Sequence, residues 1–280
     1  MGAMNRCLAS ALLVCLVSAA CAVPAVSEEP AARLHQLLPA DAILLGEQHD
    51  APDHQRIHRE VIEALAARGA LAAVALEMAP QGGSTAGLAR DATESAVQAA
   101  LRWTDASWPW AVYAPAVMAA VRSGVPVLGA NLPRAAMRLA MADSQLDSLL
   151  PGPALKAQQQ AIRQGHCDML PETQIAPMTR VQIARDRAMA QTLVASASPG
   201  KSVVLLAGGR HVDRRVGVPL HLPPGLQTRV VALRAGAPPD DSRRVADSDA
   251  IWTTPPVPPK DYCADMRPRS SAQPAGAEKP

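Results

Sequence analysis

Two segments far apart in the chain carry the residue types best suited to chemistry. In each, an apolar run ends at a glycine and a histidine stands three residues after it, Gly46 to His49 and Gly208 to His211. A carboxylate, Glu47, directly follows the first of these glycines. Both apolar runs are typical of buried strands, and the carboxyl ends of parallel strands line the ligand crevice of an α/β protein. The pattern therefore predicts one site assembled from both segments.

Other polar residues follow predicted strands and enlarge this candidate site. The full set is Glu47, His49, Glu77, Asn131, Arg134, Arg210 and His211. Its two histidines and two glutamates are donors that suit a divalent metal such as Mn, Co or Zn. A glutamate paired with a histidine suits general acid/base catalysis equally well. The metal ligands, or alternatively the catalytic residues, would be Glu47, His49, Glu77 and His211.

A third interpretation gives the same residues no chemistry. Polar side chains at the end of a sheet also hydrogen-bond to one another and to loop backbones, which fixes the loops. Arg134 and Arg210 are open in the same way, because a guanidinium binds either a ligand carboxylate or a structural ion-pair partner.

Several further polar residues are expected on solvated helix faces. His54 and His58 are four residues apart, so they share one face of a predicted helix over residues 53–67. They lack the adjacent glutamate of a His-Glu-x-x-His metal motif. The charges within residues 180–187, Asp186 among them, are likewise expected to face solvent.

Three of the four tryptophans, Trp103, Trp108 and Trp110, lie close together in a chain that has no phenylalanine. One interpretation is a local packing plug. The other is an apolar wall that would accept a flat ligand.

Alternating strand and helix patterns predict the fold class. Continuous apolar strands are expected at residues 41–46, 71–76, 125–130, 201–207 and 228–233, with helices at 53–67, 85–102, 113–122, 135–150, 154–164 and 179–197. Strands without apolar/polar alternation are typical of parallel sheets covered on both faces. We therefore expect an α/β domain over residues 41–235, with a mostly parallel central sheet flanked by helices and an additional helical lobe at 135–200.

Composition bears on nucleic-acid binding and on the size of the core, and it changes in the C-terminal part of the chain. The net charge of +2 gives no argument for nucleic-acid binding, and 49% hydrophobic residues allow a sizeable core. Residues 236–266 are Pro-rich and are expected to dock on the domain. Residues 267–280 are expected to be disordered.

The first residues have the pattern of an export signal. Arg6 precedes an apolar stretch at 8–20, and small residues then lead to Cys21. We interpret 1–21 as a lipoprotein signal with Cys21 as the lipidated residue, and 22–40 as a linker with a short helix. Ordinary cleavage after Ala22 or Ala25 is the alternative. Either cleavage implies export, and lipidation implies a periplasm-facing lipoprotein anchored in a membrane, the outer membrane being expected.

Two cysteines would remain after Cys7, Cys15 and Cys21 are assigned to the signal. An even pair in an exported chain favours a disulfide, Cys167 with Cys263, over two buried thiols.

Six motifs resemble those of a known family. They are LLGEQH at 44–49, ALEM at 75–78, GANLPR at 129–134, HCDMLP at 166–171, AGGRH at 207–211 and GVP at 217–219. Together they resemble the ChaN family of haem-binding uptake lipoproteins, within the Tiki/TraB/erythromycin-esterase-like superfamily. The resemblance spans about residues 42–263 and implies an α/β fold with a helical lobe and a role in haem or iron acquisition.

The resemblance also implies a ligand and a partner. In the family haem is bound between two subunits with a tyrosine as iron ligand, which implies haem as cofactor and a homodimer here. Tyr113 lies in a stretch similar to the family's Trp-x-x-Tyr-x-Pro segment, and Tyr262 is the other tyrosine. The expected cofactor-binding residues are Tyr113, Trp110, Arg134 and Arg210, with a histidine or a methionine as the alternative iron ligand. Because the superfamily includes metal-dependent proteases and esterases, a hydrolase that uses the His/Glu site is the alternative.

Overall fold

A six-stranded parallel sheet organises the protein. The computed structural model describes residues 30–236 and 247–264. Its strands are β1 (Ala42–Glu47), β2 (Leu71–Pro80), β3 (Val127–Asn131), β4 (Ser202–Gly208), β5 (Thr228–Ala235) and β6 (Ala250–Thr254). They lie in the order β3-β2-β4-β1-β5-β6, and every pair is parallel. This confirms the predicted α/β class.

The helices are α1 (Pro30–Arg33), α2 (Pro52–Ala67), α3 (Glu94–Leu101), α4 (Trp110–Arg122), α5 (Met137–Ala142), α6 (Gly152–Gly165) and α7 (Glu172–Ser196). Within the described ranges, no helix is long and apolar enough to cross a membrane.

The register of the two central strands explains how the glycine-histidine segments meet. Strands β1 and β4 are buried along their whole length and pair directly, with Glu47 opposite Gly208. Non-polar contacts on both faces favour continuous apolar runs of this kind. The two segments therefore leave the sheet side by side, although about 160 residues separate them in sequence.

Alternation along the strands divides the core into two layers. Ile43 and Leu45 of β1 pack with residues of α2 and α4, whereas Ala42 and Leu44 pack with Met189 and other residues of α7. Since successive strand side chains point to opposite faces, Glu47 is directed to the α2/α4 layer. By the same alternation in β2, Glu77 is directed to the α7 layer.

The helical stretch predicted as a lobe has two parts. Residues of α5, α6 and the 3-10 helix Ser144–Leu149 form a small separate core with one face of α7. Helix α7 also packs on the sheet, so it is both the lobe's base and a layer of the main core.

Gly46 is required by a close approach of two segments. A Cβ built on Gly46 would lie 2.2 Å from a methyl group of Val212, which follows β4. A side chain there would push the two glycine-histidine segments apart.

One predicted helix is mostly wrong. A helix was expected over residues 85–102, but α3 begins only at Glu94, after the N-cap Thr93. The preceding residues are held against β3 instead: Thr85 accepts a hydrogen bond from the backbone of Val127, and Ser84 pairs with Leu128. These contacts with a neighbouring strand replace the helical hydrogen bonds.

The described part of the Pro-rich region, residues 247–264, includes a strand. Ile251 and Trp252 belong to the edge strand β6, and Trp252 is buried. Further on, Cys263 forms a disulfide with Cys167, with 5.8 Å between the two Cα atoms. The predicted signal with Cys21 and the predicted disordered tail at 267–280 lie outside the described residues.

Candidate functional site

Glu47, the last residue of β1, is the centre of a buried hydrogen-bond network. One carboxylate oxygen accepts the Tyr113 hydroxyl at 2.8 Å and contacts His49 Nδ1 at 2.7 Å. The other accepts the Gln55 amide at 2.7 Å. His58 Nδ1 lies 3.5 Å from the same oxygen, too far for a good hydrogen bond. Helices α2 and α4 and the turn after β1 thus supply the partners that fix this carboxylate.

The Glu47–His49 pair favours its charged state. Burial alone would raise the pKa of Glu47, but the hydrogen bond from His49 and the nearby imidazoles lower it overall. Burial opposes protonation of His49, yet Glu47 and Glu77 raise its pKa. The His49 side chain is 39% exposed and that of Glu47 is fully buried, so the imidazole is the accessible member of the pair.

A second network lies on the opposite face of the sheet. His211 Nδ1 contacts Asp186 of α7 at 2.5 Å, and its Nε2 lies 3.3 Å from Glu77. The other oxygen of Glu77 accepts the backbone N–H of Gly208 at 2.7 Å. All three ionisable side chains are buried.

His211 is an imidazolium between two carboxylates. Burial disfavours its charge, but Glu77 and Asp186 raise the pKa of His211 to about 10. Burial would raise the pKa of Glu77, and the His211 charge lowers it to about 2 instead. Burial raises the pKa of Asp186 to about 6 in spite of His211. At neutral pH the cluster therefore holds one positive and two negative charges.

The two networks meet at Gly208. A Cβ on Gly208 would lie 2.8 Å from His49 Nε2 and 3.5 Å from Glu77. The missing side chain is what allows the His49 ring to sit above the end of β4, next to Glu77.

An open cleft of about 530 Å³ lies over this junction. Residues from the ends of β1, β2 and β4 line it together with two residues of the C-terminal segment: Glu47, Gln48, His49, Asp50, Glu77, Gly208, Gly209, Arg210, His211, Lys260 and Tyr262. The cleft offers imidazole, phenol, ammonium and guanidinium groups to a ligand.

Tyr262 presents an accessible phenol at this cleft. Its side chain is 56% exposed, and its hydroxyl donates to Asp50 at 2.8 Å. The Gln48 amide donates to the same hydroxyl at 3.2 Å. Lys260 lies over the ring, 5.3 Å from its centroid. The turn after β1 therefore connects Tyr262 with the Glu47 network.

The structure brings Glu47, His49, Glu77, His211 and Arg210 to one place. It does not place the other expected cofactor residues there. Arg134 is exposed and does not line the cleft. Asn131 donates its amide to the Glu77 backbone carbonyl, where the register between β2 and β3 shifts.

Tyr113 and Trp110 are corrections to the expected ligand-binding set. Tyr113 is 2% exposed, donates its hydroxyl to Glu47 and does not line the cleft. Burial and the Glu47 charge raise the pKa of Tyr113 above its ordinary value. Trp110 is buried and donates its indole N–H to Glu94. Both belong to the core beneath the cleft.

The tryptophan cluster acts mainly as a packing plug. Trp103 packs edge-on against Trp110 at 5.0 Å and also against Tyr113. Trp108 is the exception, because it lies beside the accessible His49 ring, 4.7 Å between centroids.

Three functional-site residues were wrongly expected on solvated faces: His54, His58 and Asp186 are buried. The burial of these three residues could have been predicted from the sequence. His54 and His58 continue the buried stripe of Val61 and Leu65 on α2, and Asp186 is three residues from the buried Ile183 on α7. Helical spacing from apolar neighbours predicts burial whatever the residue type.

The four residues expected to bind a divalent metal form two carboxylate–histidine pairs, Glu47 with His49 and Glu77 with His211. Across residues 30–236 and 247–264, no group of three or more His, Cys, Asp or Glu side chains is arranged to hold a metal ion.

His58→Leu is expected to reduce the acid sensitivity of the fold. Both ring nitrogens of His58 are buried without a hydrogen-bond partner, and burial lowers its pKa to about 4. The neutral ring stabilises the fold above pH 6.5, and this contribution is lost as pH falls through 4. Between pH 6.5 and pH 4 and below, the unfolding free energy of the wild type should therefore fall by about 3 kcal/mol more than that of the variant. Urea unfolding at several pH values measures the difference.

The matched control for that variant is His54→Leu. His54 Nδ1 accepts the backbone N–H of Gln48, so its removal should cost about 1–3 kcal/mol at pH 7. His58→Leu should cost less than about 1.5 kcal/mol there. Equal pH dependence of wild type and His58→Leu would contradict the assignment of a buried neutral His58.

The chain is similar in sequence and in fold to known proteins. A family model described as "Haem-binding uptake, Tiki superfamily, ChaN" matches residues 33–222. The structure of ChaN from Campylobacter jejuni, described as showing cofacial heme binding, is 26% identical with a TM-score of 0.62. That match covers 79% of this chain and 89% of the other.

Two solved structures match less closely. The type III effector HopBA1 is 17% identical with a TM-score of 0.47, over 82% of this chain and 95% of its own. An erythromycin esterase mutant, EreC H289N, is 14% identical with a TM-score of 0.43, over 73% of this chain and 72% of its own. No curated protein sequence gives a significant match.

Proposed function

The chain belongs to the haem-binding uptake family, Tiki superfamily, ChaN, and from this premise we propose that it binds haem at the cleft beside Tyr262 and His49. The observation that carries the proposal is the exposed phenol of Tyr262 above a cleft that also presents cationic side chains. Haem would supply an iron that takes one axial ligand from the protein.

The residues present fit such a group. Tyr262 offers a phenol oxygen that only surface hydrogen bonds hold, from Gln48 and to Asp50. Arg210 and Lys260 offer positive charges to the carboxylates of the haem propionates. Trp108 supplies an apolar ring next to His49.

Tyr262 is the iron ligand we propose in place of Tyr113. The two phenols have opposite environments: one is 56% exposed and the other 2%. His49 is the competing donor: its Nδ1 contacts Glu47, which leaves Nε2, at the end of β4, as the nitrogen that would ligate iron.

The test is a hemin titration of the purified protein followed in the Soret region. A saturable spectral change at micromolar hemin is the expected result. A change that grows linearly with hemin, as free hemin gives, would overturn the proposal.

We infer further that the protein works outside the cytoplasm in haem uptake, as a lipoprotein of the outer membrane. Residues 1–21 with Cys21 support this inference, and a disulfide such as Cys167–Cys263 persists in oxidising compartments. Mass spectrometry of the protein isolated from its own cells tests it, because a lipidated Cys21 at the N-terminus is expected and an intact residue 1 would refute export.

The inferred homodimer rests on the same family. Sedimentation of the protein with and without hemin should show a dimer in the haem-bound sample. A monomer under hemin saturation would contradict it.

A second candidate function is hydrolysis by acid/base chemistry. It is favoured by one observation, the accessible His49 ring that is oriented by the buried Glu47 and lies above Gly208 beside Glu77. Turnover of ester or amide substrates that His49→Gln abolishes would establish it. Turnover that the variant retains, or none at all, would exclude His49 as its catalytic group.

A further inference from the structure

The residue next to Tyr262 in sequence is a disulfide cysteine. Cys263 is bonded to Cys167, which lies two residues after helix α6 in the turn before α7. The phenol at the cleft and the cross-link to the helical lobe are therefore one residue apart. The disulfide joins two parts of the chain that are 96 residues apart in sequence.

The chain that carries Tyr262 has little burial of its own. After β6 ends at Thr254, all residues from 255 to 262 except Val257 are exposed. Four of these eight residues are prolines, which form no regular hydrogen-bond ladder with a neighbour. Tyr262 reaches the cleft through exposed hydrogen bonds with Asp50 and Gln48, for which water competes.

The other end of the cross-link is held by several hydrogen bonds. Cys167 and Asp168 have positive φ angles of 57° and 56° in a turn closed by backbone hydrogen bonds to Gln164 and Arg163. Arg163 of α6 also holds Glu172 of α7 through two hydrogen bonds of 2.8 Å. This turn is a fixed point on the body of the protein.

We propose that the Cys167–Cys263 disulfide is the positioning group for Tyr262, and that its reduction releases the phenol from the cleft and weakens ligand binding there. The proposal rests on the proposed haem site. A dithiol reductant would supply two electrons and two protons, so that Cys167 and Cys263 become thiols while the reductant becomes a disulfide.

The physical reason is effective concentration. With the cross-link intact, Tyr262 is one residue from a fixed point and stays near Asp50. Without it, the seven residues 255–261 connect Tyr262 to the end of β6, and the phenol samples a larger volume. The binding-competent fraction falls, and the apparent affinity falls with it.

The consequence is a protein that acquires its ligand site only in an oxidising environment. In a reducing compartment Cys167 and Cys263 would stay as thiols, and the cleft would lack its phenol. The same fold would then hold Glu47, His49 and His211 without a competent axial ligand.

The experiment is a double-mutant cycle on the full chain with hemin as the probe. It uses the wild type, Tyr262→Phe, the double variant Cys167→Ser/Cys263→Ser, and the triple variant. The double serine variant should bind hemin roughly tenfold more weakly than the wild type. In the Tyr262→Phe background, the same two serines should change the affinity by less than about twofold, because the phenol that the disulfide positions is already absent.

A second measurement reads the position of the segment without hemin. Trypsin cleavage after Lys260 should be about tenfold faster in the double serine variant, since a released segment fits a protease more readily. Circular dichroism at matched temperature shows that each variant is folded.

The outcomes separate the two proposals. Equal hemin affinity and equal Lys260 cleavage in the wild type and the serine variant would overturn the positioning role. A tenfold loss that the two serines cause both with Tyr262 present and in the Tyr262→Phe background would overturn it too, because the disulfide would then act on the fold. If the wild type binds no hemin, the proposed function fails, and the Lys260 cleavage rates alone decide whether the disulfide positions the segment.

Discussion

Tyr262→Phe should lower the affinity for hemin by about 100-fold or more, while Tyr113→Phe should leave it within about threefold. The first substitution removes the exposed phenol oxygen that we assign as axial ligand and leaves the ring in place. The second removes a buried hydroxyl whose partner is Glu47. Optical titration of both variants beside the wild type measures the two effects.

The paired tyrosine variants also separate ligation from stability. Tyr113→Phe leaves Glu47 without one of its buried hydrogen bonds, so it should cost about 1–3 kcal/mol of unfolding free energy. Tyr262→Phe affects only exposed hydrogen bonds and should cost less than about 1 kcal/mol. Loss of hemin binding in Tyr113→Phe, with retention in Tyr262→Phe, would reverse our assignment.

His211→Ala is expected to destabilise the protein by about 3–5 kcal/mol at pH 7, because Glu77 and Asp186 would remain buried without their cation. The matched control is His35→Ala. His35 is exposed and contacts Arg68, so its loss should change the unfolding free energy by less than about 0.5 kcal/mol. Urea unfolding followed by circular dichroism gives both values.

The same substitution should change the pH dependence of stability. The pKa of His211 is raised in the folded state to about 10, so its contribution is complete below its ordinary value near 6.5 and is lost as pH rises through 10. The wild type should therefore lose stability over this alkaline window, and His211→Ala should lose much less. Parallel curves for the two proteins would show that His211 is not a buried imidazolium.

The sheet could be predicted from the sequence because its signal is local. Continuous apolar runs ending at Gly46 and Gly208 mark β1 and β4. The pairing of those two strands depends on contacts between residues far apart in sequence, for which no local pattern exists. The failed helix at 85–102 has the same origin, since hydrogen bonds to β3 override the helical pattern.

The centre of the site was predictable, and its partners were less so. Glu47 and Glu77 lie near the ends of β1 and β2, His49 and His211 follow β1 and β4, and the end of a parallel sheet gathers such residues. Asp186 and His58 reach the same place from helix faces. Their burial follows from helical spacing, but their partners follow from the way the helices cover the sheet.

The two tyrosines show a different limit of prediction from the sequence. The motif around Tyr113 favours it as the ligand, but whether a phenol is buried depends on tertiary packing. Tyr262 lies in a Pro-rich segment without periodicity, and a disulfide brings it to the cleft. Sequence spacing alone carries no information about that position.

The central claim is that Tyr262 provides the axial oxygen for haem at the cleft. Resonance Raman spectroscopy of the wild type saturated with hemin tests it most directly, with Tyr262→Phe and Tyr113→Phe as comparisons. We expect iron-phenolate vibrations in the wild type and in Tyr113→Phe, and none in Tyr262→Phe. A hemin complex whose spectrum shows only histidine ligation, or one that keeps its phenolate bands in Tyr262→Phe, would contradict the claim.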